Sequence, residues 1–305
     1  MLRSRFVLPL AILILSAGDA AILAHAQPPS AADPESDPAV ARALRHATPE
    51  WRIVAPHLPD PETGSPADLQ QAGDILRARR FPDEALEYYR YALQRGGDEA
   101  VLDKRMGVIE LQLGQDALAR AYFRRCVSLS KRDAEGWNNL GAVETIAGNA
   151  RQAISDYQRA VKIDRRNSLF HANLGTAYFA VKDVDSARHE FEVAVKLDPE
   201  VFHRGGFGGS LVHVLSTDDR GQFAFEMARL AAARHEEESM LHWLAQASEA
   251  GLDLRVAMAG VKEFNPYLKD ARIAVIVHNA KALRTRELAV SDPVPTLADA
   301  KTEGR

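Results

Sequence analysis

Cysteine is almost missing from this chain: among 305 residues only Cys126 carries a thiol. A single cysteine cannot close an intramolecular disulfide, and it excludes a zinc site built on several thiolates. Charge of one sign is missing as well. Thirty-eight Lys and Arg stand against 42 Asp and Glu, a net charge of −4, so nothing in the balance points to nucleic acid or to an acidic lipid surface. No stretch alternates apolar and polar residues with period two over a useful length, so no sheet is expected. The ten histidines are scattered without ligand spacing, and neither a metal nor a cofactor is expected.

Catalytic motifs fail when their chemistry is checked. His235 to Ser239 reads HEEES, the start of a zinc-hydrolase helix, but Ser239 stands where the second His must be. Ser128 to Lys131 reads SLSK, with no Ser-Asp-Asn partner motif to complete a penicillin-recognising site. His203 to Ser210 reads HRGGFGGS, which lacks the Lys and Ser/Thr of a phosphate-cradling loop and reads as a connector. An enzyme is therefore the third reading of this chain.

What is present begins with an export signal. Arg3 and Arg5 precede an apolar run from Phe6 to Leu15, and Ala24-His25-Ala26 has the small-x-small form of a cleavage site before Gln27. Residues 1–26 are expected to be removed, leaving a periplasmic or secreted chain with no integral membrane segment. The alternative is an uncleaved anchor, since Phe6 to Ala24 is nearly long enough to span a bilayer. Nine of the 15 prolines follow in residues 27–66. Pro fixes φ and removes a donor, so residues 27–65 read as a tether with at most a short helix near Ala39 to Arg45 and loosely docked pieces around Trp51, Ile53 and Val54.

From Ser65-Pro66, an N-cap and first-turn signal, the pattern turns helical and repeats every 34 residues. The eighth position of each repeat is Gly73, Gly107, Gly141 and Gly175. The twentieth is Ala85, Ala119, Ala153 and Ala187. The twenty-fourth is Tyr89, Phe123, Tyr157 and Phe191, and the twenty-seventh is Ala92, Cys126, Ala160 and Ala194. Small residues at fixed spacing let two helices approach within about 8–10 Å, with the aromatic residue filling the space beside them. Cys126 thus reads as a small core residue, and Gly114 and Gly148 fall at turns. The repeats span 66–99, 100–133, 134–167 and 168–201. A connector at 202–220, a degenerate helix pair and C-terminal helices at 221–290, and a polar tail at 291–305 complete the chain. In the C-terminal part Ala228, Met240, Leu244 and Ala247 take the core positions, and a last helix is expected from about Ala271 to Glu287.

This pattern resembles the tetratricopeptide repeat: Trp137, Leu140, Gly141, Ala153 and Tyr157 in the third repeat, and Leu174, Gly175, Tyr178, Ala187, Phe191 and Pro199 in the fourth. Leu69 and Asp103 replace the Trp in the first two. The resemblance implies an all-α, right-handed superhelix of antiparallel helix pairs with at least four repeats. It also implies a non-enzymatic scaffold that binds a peptide or helix of a partner protein in its concave groove. Self-association within the cell envelope is the alternative. By resemblance the groove is lined by Gln70, Gln71, Asp74 and Arg77, then Lys104, Arg105 and Val108, then Asn138, Asn139 and Thr145, then Asn173, Thr176 and Phe179. The partner-binding set is expected to be Lys104, Arg105, Asn138, Asn139, Asn173, Thr176 and Phe179. Side-chain amides pair with any extended backbone. A clamp for a C-terminal carboxylate is not expected: Lys104 and Asn139 fit it, but Val108, Leu169 and Asn173 stand where Asn, Lys and Arg are required.

Overall fold

The computed structural model describes residues 38–202 and 217–278, in two compact units divided at Val214 and Leu215. The export segment, the HRGGFGGS stretch and the polar tail lie outside the described residues. Among those described, every regular element is helical.

The first unit carries α1 (Pro38–His46), α2 (Pro49–Val54) with a 3-10 turn at Ala55–His57, and then four helix pairs. The pairs are α3 (Pro66–Ala78) with α4 (Pro82–Gln94), α5 (Glu99–Gln112) with α6 (Asp116–Leu129), α7 (Ala134–Ile146) with α8 (Ala150–Ile163), and α9 (Ser168–Ala180) with α10 (Val184–Leu197). Each helix packs most heavily on its pair partner, and the second helix of each pair also packs on the first helix of the next. This is the expected all-α solenoid. Its helices start where short polar side chains take up orphan backbone N–H groups: Ser65, Asp98, Asp133, Asn167 and Asp183 each accept one.

The periodic small residues do what their spacing predicts, with one refinement. The twenty-fourth-position ring lies directly over the eighth-position glycine of its own repeat. A Cβ added at Gly141 would fall 2.8 Å from the Tyr157 ring, and one at Gly107 2.7 Å from Phe123. Ala85, Ala119 and Ala153 are fully buried beside these rings. Between the helices of each pair, position 15 takes a left-handed conformation in all four repeats: Gly114 at φ +72° and Gly148 at φ +75°, but also Arg80 at φ +65° and Lys182 at φ +66°.

The tether expected over residues 27–65 does not describe residues 38–58, which are folded onto the first repeat. Pro38, Pro49 and Pro66 each stand at the first position of a helix, where the missing N–H costs nothing and the fixed φ suits the turn. They open helices rather than exclude them. Val54 is buried with Leu69, Leu76 and Phe81 in the core of the first repeat, and Trp51 packs edge-on to Phe81 with ring centroids 5.1 Å apart. Arg42 grips Glu87 through two bonds of 2.6 and 2.7 Å. Arg45 pairs with Asp83, and His46 Nε2 lies 2.8 Å from Glu84 Oε1.

The second unit pairs α11 (Thr217–Ala233) with α12 (Glu237–Glu249), followed by α13 (Leu254–Ala257), a 3-10 segment at Lys262–Tyr267 and a helix described over 271–278. Ala228, Met240, Leu244 and Ala247 are fully buried, as the degenerate repeat predicts. The HEEES stretch runs from the turn between α11 and α12 into the first turn of α12: His235 has φ +60° and its Nδ1 sits 3.2 Å from the Tyr267 hydroxyl.

Candidate functional site

The wall formed by the first helices α3, α5, α7 and α9 carries the residues expected to meet a partner. Its apolar backing is close packed, and α5 with α7 and α7 with α9 touch directly. What the side chains on it do differs from the expectation. Most of them join one repeat to the next.

Between the first two repeats, Arg105 Nη2 lies 3.2 Å from Asp74 Oδ2, and Asp74 also accepts from the Tyr89 hydroxyl at 2.7 Å. Between the second and third, Lys104 Nζ reaches Asp133 at 2.9 Å and Glu135 at 2.8 Å. Burial disfavours the charge of Lys104, yet its bonds to Glu135 and Asp133 raise its pKa above the ordinary range. Burial likewise works against the Asp133 carboxylate, but the Gly136 backbone N–H and Lys104 hold its pKa below the usual value. Between the third and fourth, Asn173 Nδ2 donates to Asn138 Oδ1 at 2.7 Å, with both residues buried.

These residues were expected to stand exposed in a groove. The structure corrects this for Asn138, Asn139, Asn173, Thr176 and Phe179, all of which are buried. Thr176 turns its hydroxyl back onto the Ala172 carbonyl at 2.8 Å, as Thr145 does onto Gly141 at 2.9 Å. The reason is geometric. Successive first helices lie so close that a long polar side chain meets the next repeat before it meets solvent.

Asn139 differs from these in its hydrogen bonding. It is 2% exposed, and its Oδ1 is buried without a hydrogen-bond partner among the described residues. A buried amide oxygen left unpaired costs about 1–3 kcal/mol. It occupies the position that Asn173 holds one repeat on, one residue from the Asn138–Asn173 pair.

Sequence reading also missed a compensation at the position where Trp137 stands. In the second repeat it is Asp103, fully buried and gripped by Arg125 through two bonds. Arg159 occupies the equivalent place one repeat on, and there its guanidinium stacks 4.4 Å from the Trp137 ring. In the fourth repeat His171 fills the slot, between Glu190 Oε2 at 2.6 Å and the Arg165 carbonyl at 3.1 Å. The recurring Arg at the twenty-sixth position was the available signal. Cys126 is buried, and burial pushes its thiol up to about 12, which makes it the inert core residue its repeat position implies.

The sequence profile of the tetratricopeptide repeat matches residues 105–133 and 134–167, in the register drawn above. Residues 105–167 thus carry two tetratricopeptide repeats. Members of this family generally serve as protein-binding scaffolds rather than as enzymes. No curated protein sequence matches this chain significantly. Similar solved structures include MamA, at 17% identity over 58% of this chain and 93% of that one, with a TM-score of 0.42. YrrB, described as a TPR protein with an unusual peptide-binding site, is 20% identical over 57% of this chain and 87% of its own, with a TM-score of 0.41. A TPR protein of Thermus thermophilus is 17% identical over 72% of this chain and 100% of its own, with a TM-score of 0.42.

Proposed function

We propose that this protein is a scaffold that holds an extended peptide segment of a partner protein along the wall of its first helices, with no catalytic step. The observation that carries this reading is the buried, unpartnered Oδ1 of Asn139. An extended backbone presents N–H donors at regular spacing, and one of them would satisfy this acceptor without demanding a particular side chain. The surrounding wall is rigid, because Lys104, Arg105, Asn138 and Asn173 are already tied between repeats. Rigidity of this kind lowers the ordering cost of binding.

The test is capture of peptides from a random decapeptide display library by the wild-type chain and by Asn139→Ala. The wild type is expected to enrich peptides that the variant holds roughly tenfold more weakly, the effect of one hydrogen bond of about 1.4 kcal/mol. Circular dichroism serves as the folding control. Equal retention by a folded Asn139→Ala variant overturns the reading. The place of action in this proposal is the cell envelope, reached through the N-terminal apolar segment, whether cleaved before Gln27 or retained. Mass spectrometry of the chain recovered from envelope fractions distinguishes the two.

A further inference from the structure

Helix α1 is amphipathic in the wrong direction. At 100° per residue, Arg42, Arg45 and His46 fall on one face, and Val40, Ala43, Leu44 and Ala47 on the other. A helix docked on a folded body normally turns its apolar stripe inward. Here the polar face is turned toward the first repeat, with Arg42 and Arg45 paired to Glu87 and Asp83 of α4 and His46 bonded to Glu84, while Arg42 stays 43% exposed. The apolar face is outside: Val40 is 41% and Leu44 53% exposed, and Ala43 and Ala47 are exposed beside them. Ile53, 60% exposed, comes from α2, whose Arg52 bonds the Ala47 carbonyl at 3.0 Å and so holds the two helices together.

What covers this face is argued from the chain that precedes it. A helix of nine residues is about 14 Å long and about 10 Å across, so two copies stacked on it would bury a few hundred Å², well short of the roughly 1,000 Å² of a stable interface. A small aliphatic patch adds useful affinity only when something else already holds it in place. The sequence supplies that hold. Pro38 follows the apolar stretch Phe6–Ala24, whose extended region to Ala26 lies only 11 residues upstream (Gln27 to Asp37), a span of at most about 40 Å.

We propose that the apolar N-terminal stretch is retained in a lipid bilayer and that the outward face of α1 rests on the surface of that same bilayer. The first repeat then sits next to the membrane, and α1 is clasped to it by ion pairs on one side while its aliphatic side chains enter the lipid on the other. This rests on the reading of residues 1–26 as a membrane-directed segment and is independent of peptide capture at Asn139, which the display experiment tests separately.

The experiment uses the full chain reconstituted into phosphatidylcholine vesicles. A polarity-sensitive fluorophore is attached to Val40→Cys or Leu44→Cys, with Leu129→Cys, 52% exposed on α6, as the control. Cys126 is buried and does not compete for label. Labels at positions 40 and 44 are expected to shift to the blue and to be quenched at least threefold more than the control when brominated phosphatidylcholine is included, at low and at high salt alike. The chain isolated from membranes is expected to retain Met1. Quenching no greater than at Leu129→Cys overturns the proposal, as does a mature chain that begins at Gln27. Fluorophore self-quenching that grows with protein-to-lipid ratio, without bromine quenching, assigns the face to a second copy and overturns it equally.

Discussion

Position 15 of the repeat shows how much one residue's backbone decides. All four repeats turn there with φ between +65° and +75°, yet two use glycine and two use Arg80 and Lys182. A side chain in this region costs about 1 kcal/mol. Lys182→Gly is therefore expected to stabilise the chain by roughly 0.5–1 kcal/mol, and Gly148→Ala to destabilise it by a similar amount, both read from urea midpoints. Close approach sets a harsher rule at position 8. Gly141→Ala would place a methyl 2.8 Å from the Tyr157 ring, and the loss should reach about 1–3 kcal/mol, as it should for Ala153→Leu on the facing helix. The two asparagines that share the sixth position should part company. Asn173→Ala leaves Asn138 Oδ1 buried without its donor and should cost about 1–3 kcal/mol, whereas Asn139→Ala removes an acceptor that is already unpaired and should leave thermal stability unchanged or slightly raised.

At the scale of elements, the second helix of one repeat meets the first helix of the next across the buried carboxylates Glu110 and Glu144, and Glu110 and the half-buried cap Asp133 titrate in opposite senses. Glu144 is enclosed by Arg120 and Arg124, each at 3.1 Å, and by Asn149 at 2.7 Å. One repeat earlier Glu110 has Leu86 and Arg90 in the places of those arginines, and burial, with help from Asp83, pushes its pKa above the ordinary 4.5. A raised folded pKa means that Glu110 adds stability below the unfolded value and loses it as pH rises through the folded one. Glu110→Gln should accordingly raise the thermal midpoint at pH 7, and the gain should fade as the medium is taken below about pH 4. Asp133 behaves the other way. Its pKa is depressed from 3.8, so its contribution is present above that value and disappears as pH falls through the folded pKa. Asp133→Asn keeps the cap of α7 but loses the charge that holds Lys104, so it should lower the thermal midpoint at pH 7 and change it almost not at all near pH 2. The helices themselves were legible because each repeat's small and aromatic positions are set by a contact inside that repeat. The wall was not. Whether Asn138 or Lys104 faces a partner or a neighbouring repeat depends on the distance between successive first helices, which no spacing within one repeat encodes.

For the first unit as a whole, the solenoid body could be read from sequence and its beginning could not. Prolines crowd residues 38–66, and only their placement at helix starts, beside Trp51 and Val54, turns the segment into a cap. The cap matters because repeats are stabilised by their neighbours, and an end repeat lacks one. Trp51 and Val54 supply the missing apolar face for Leu69, Leu76 and Phe81, while Arg42 and Arg45 add a fringe of ion pairs and His46 a hydrogen bond. The two kinds of contact should answer differently to removal. Trp51→Ala opens the core of the first repeat and should cost about 3–5 kcal/mol if that repeat melts with the rest. If it instead unfolds by itself, α3 and α4 should lose amide-exchange protection while α5 to α10 keep theirs. Arg42→Ala loses a pair with exposed members and should cost at most about 1 kcal/mol, an effect that 1 M salt largely removes. Hydrogen exchange followed helix by helix separates these outcomes. Protection of α3 and α4 that survives Trp51→Ala would mean that the first repeat needs no cap, and that α1 and α2 are kept for the surface they present.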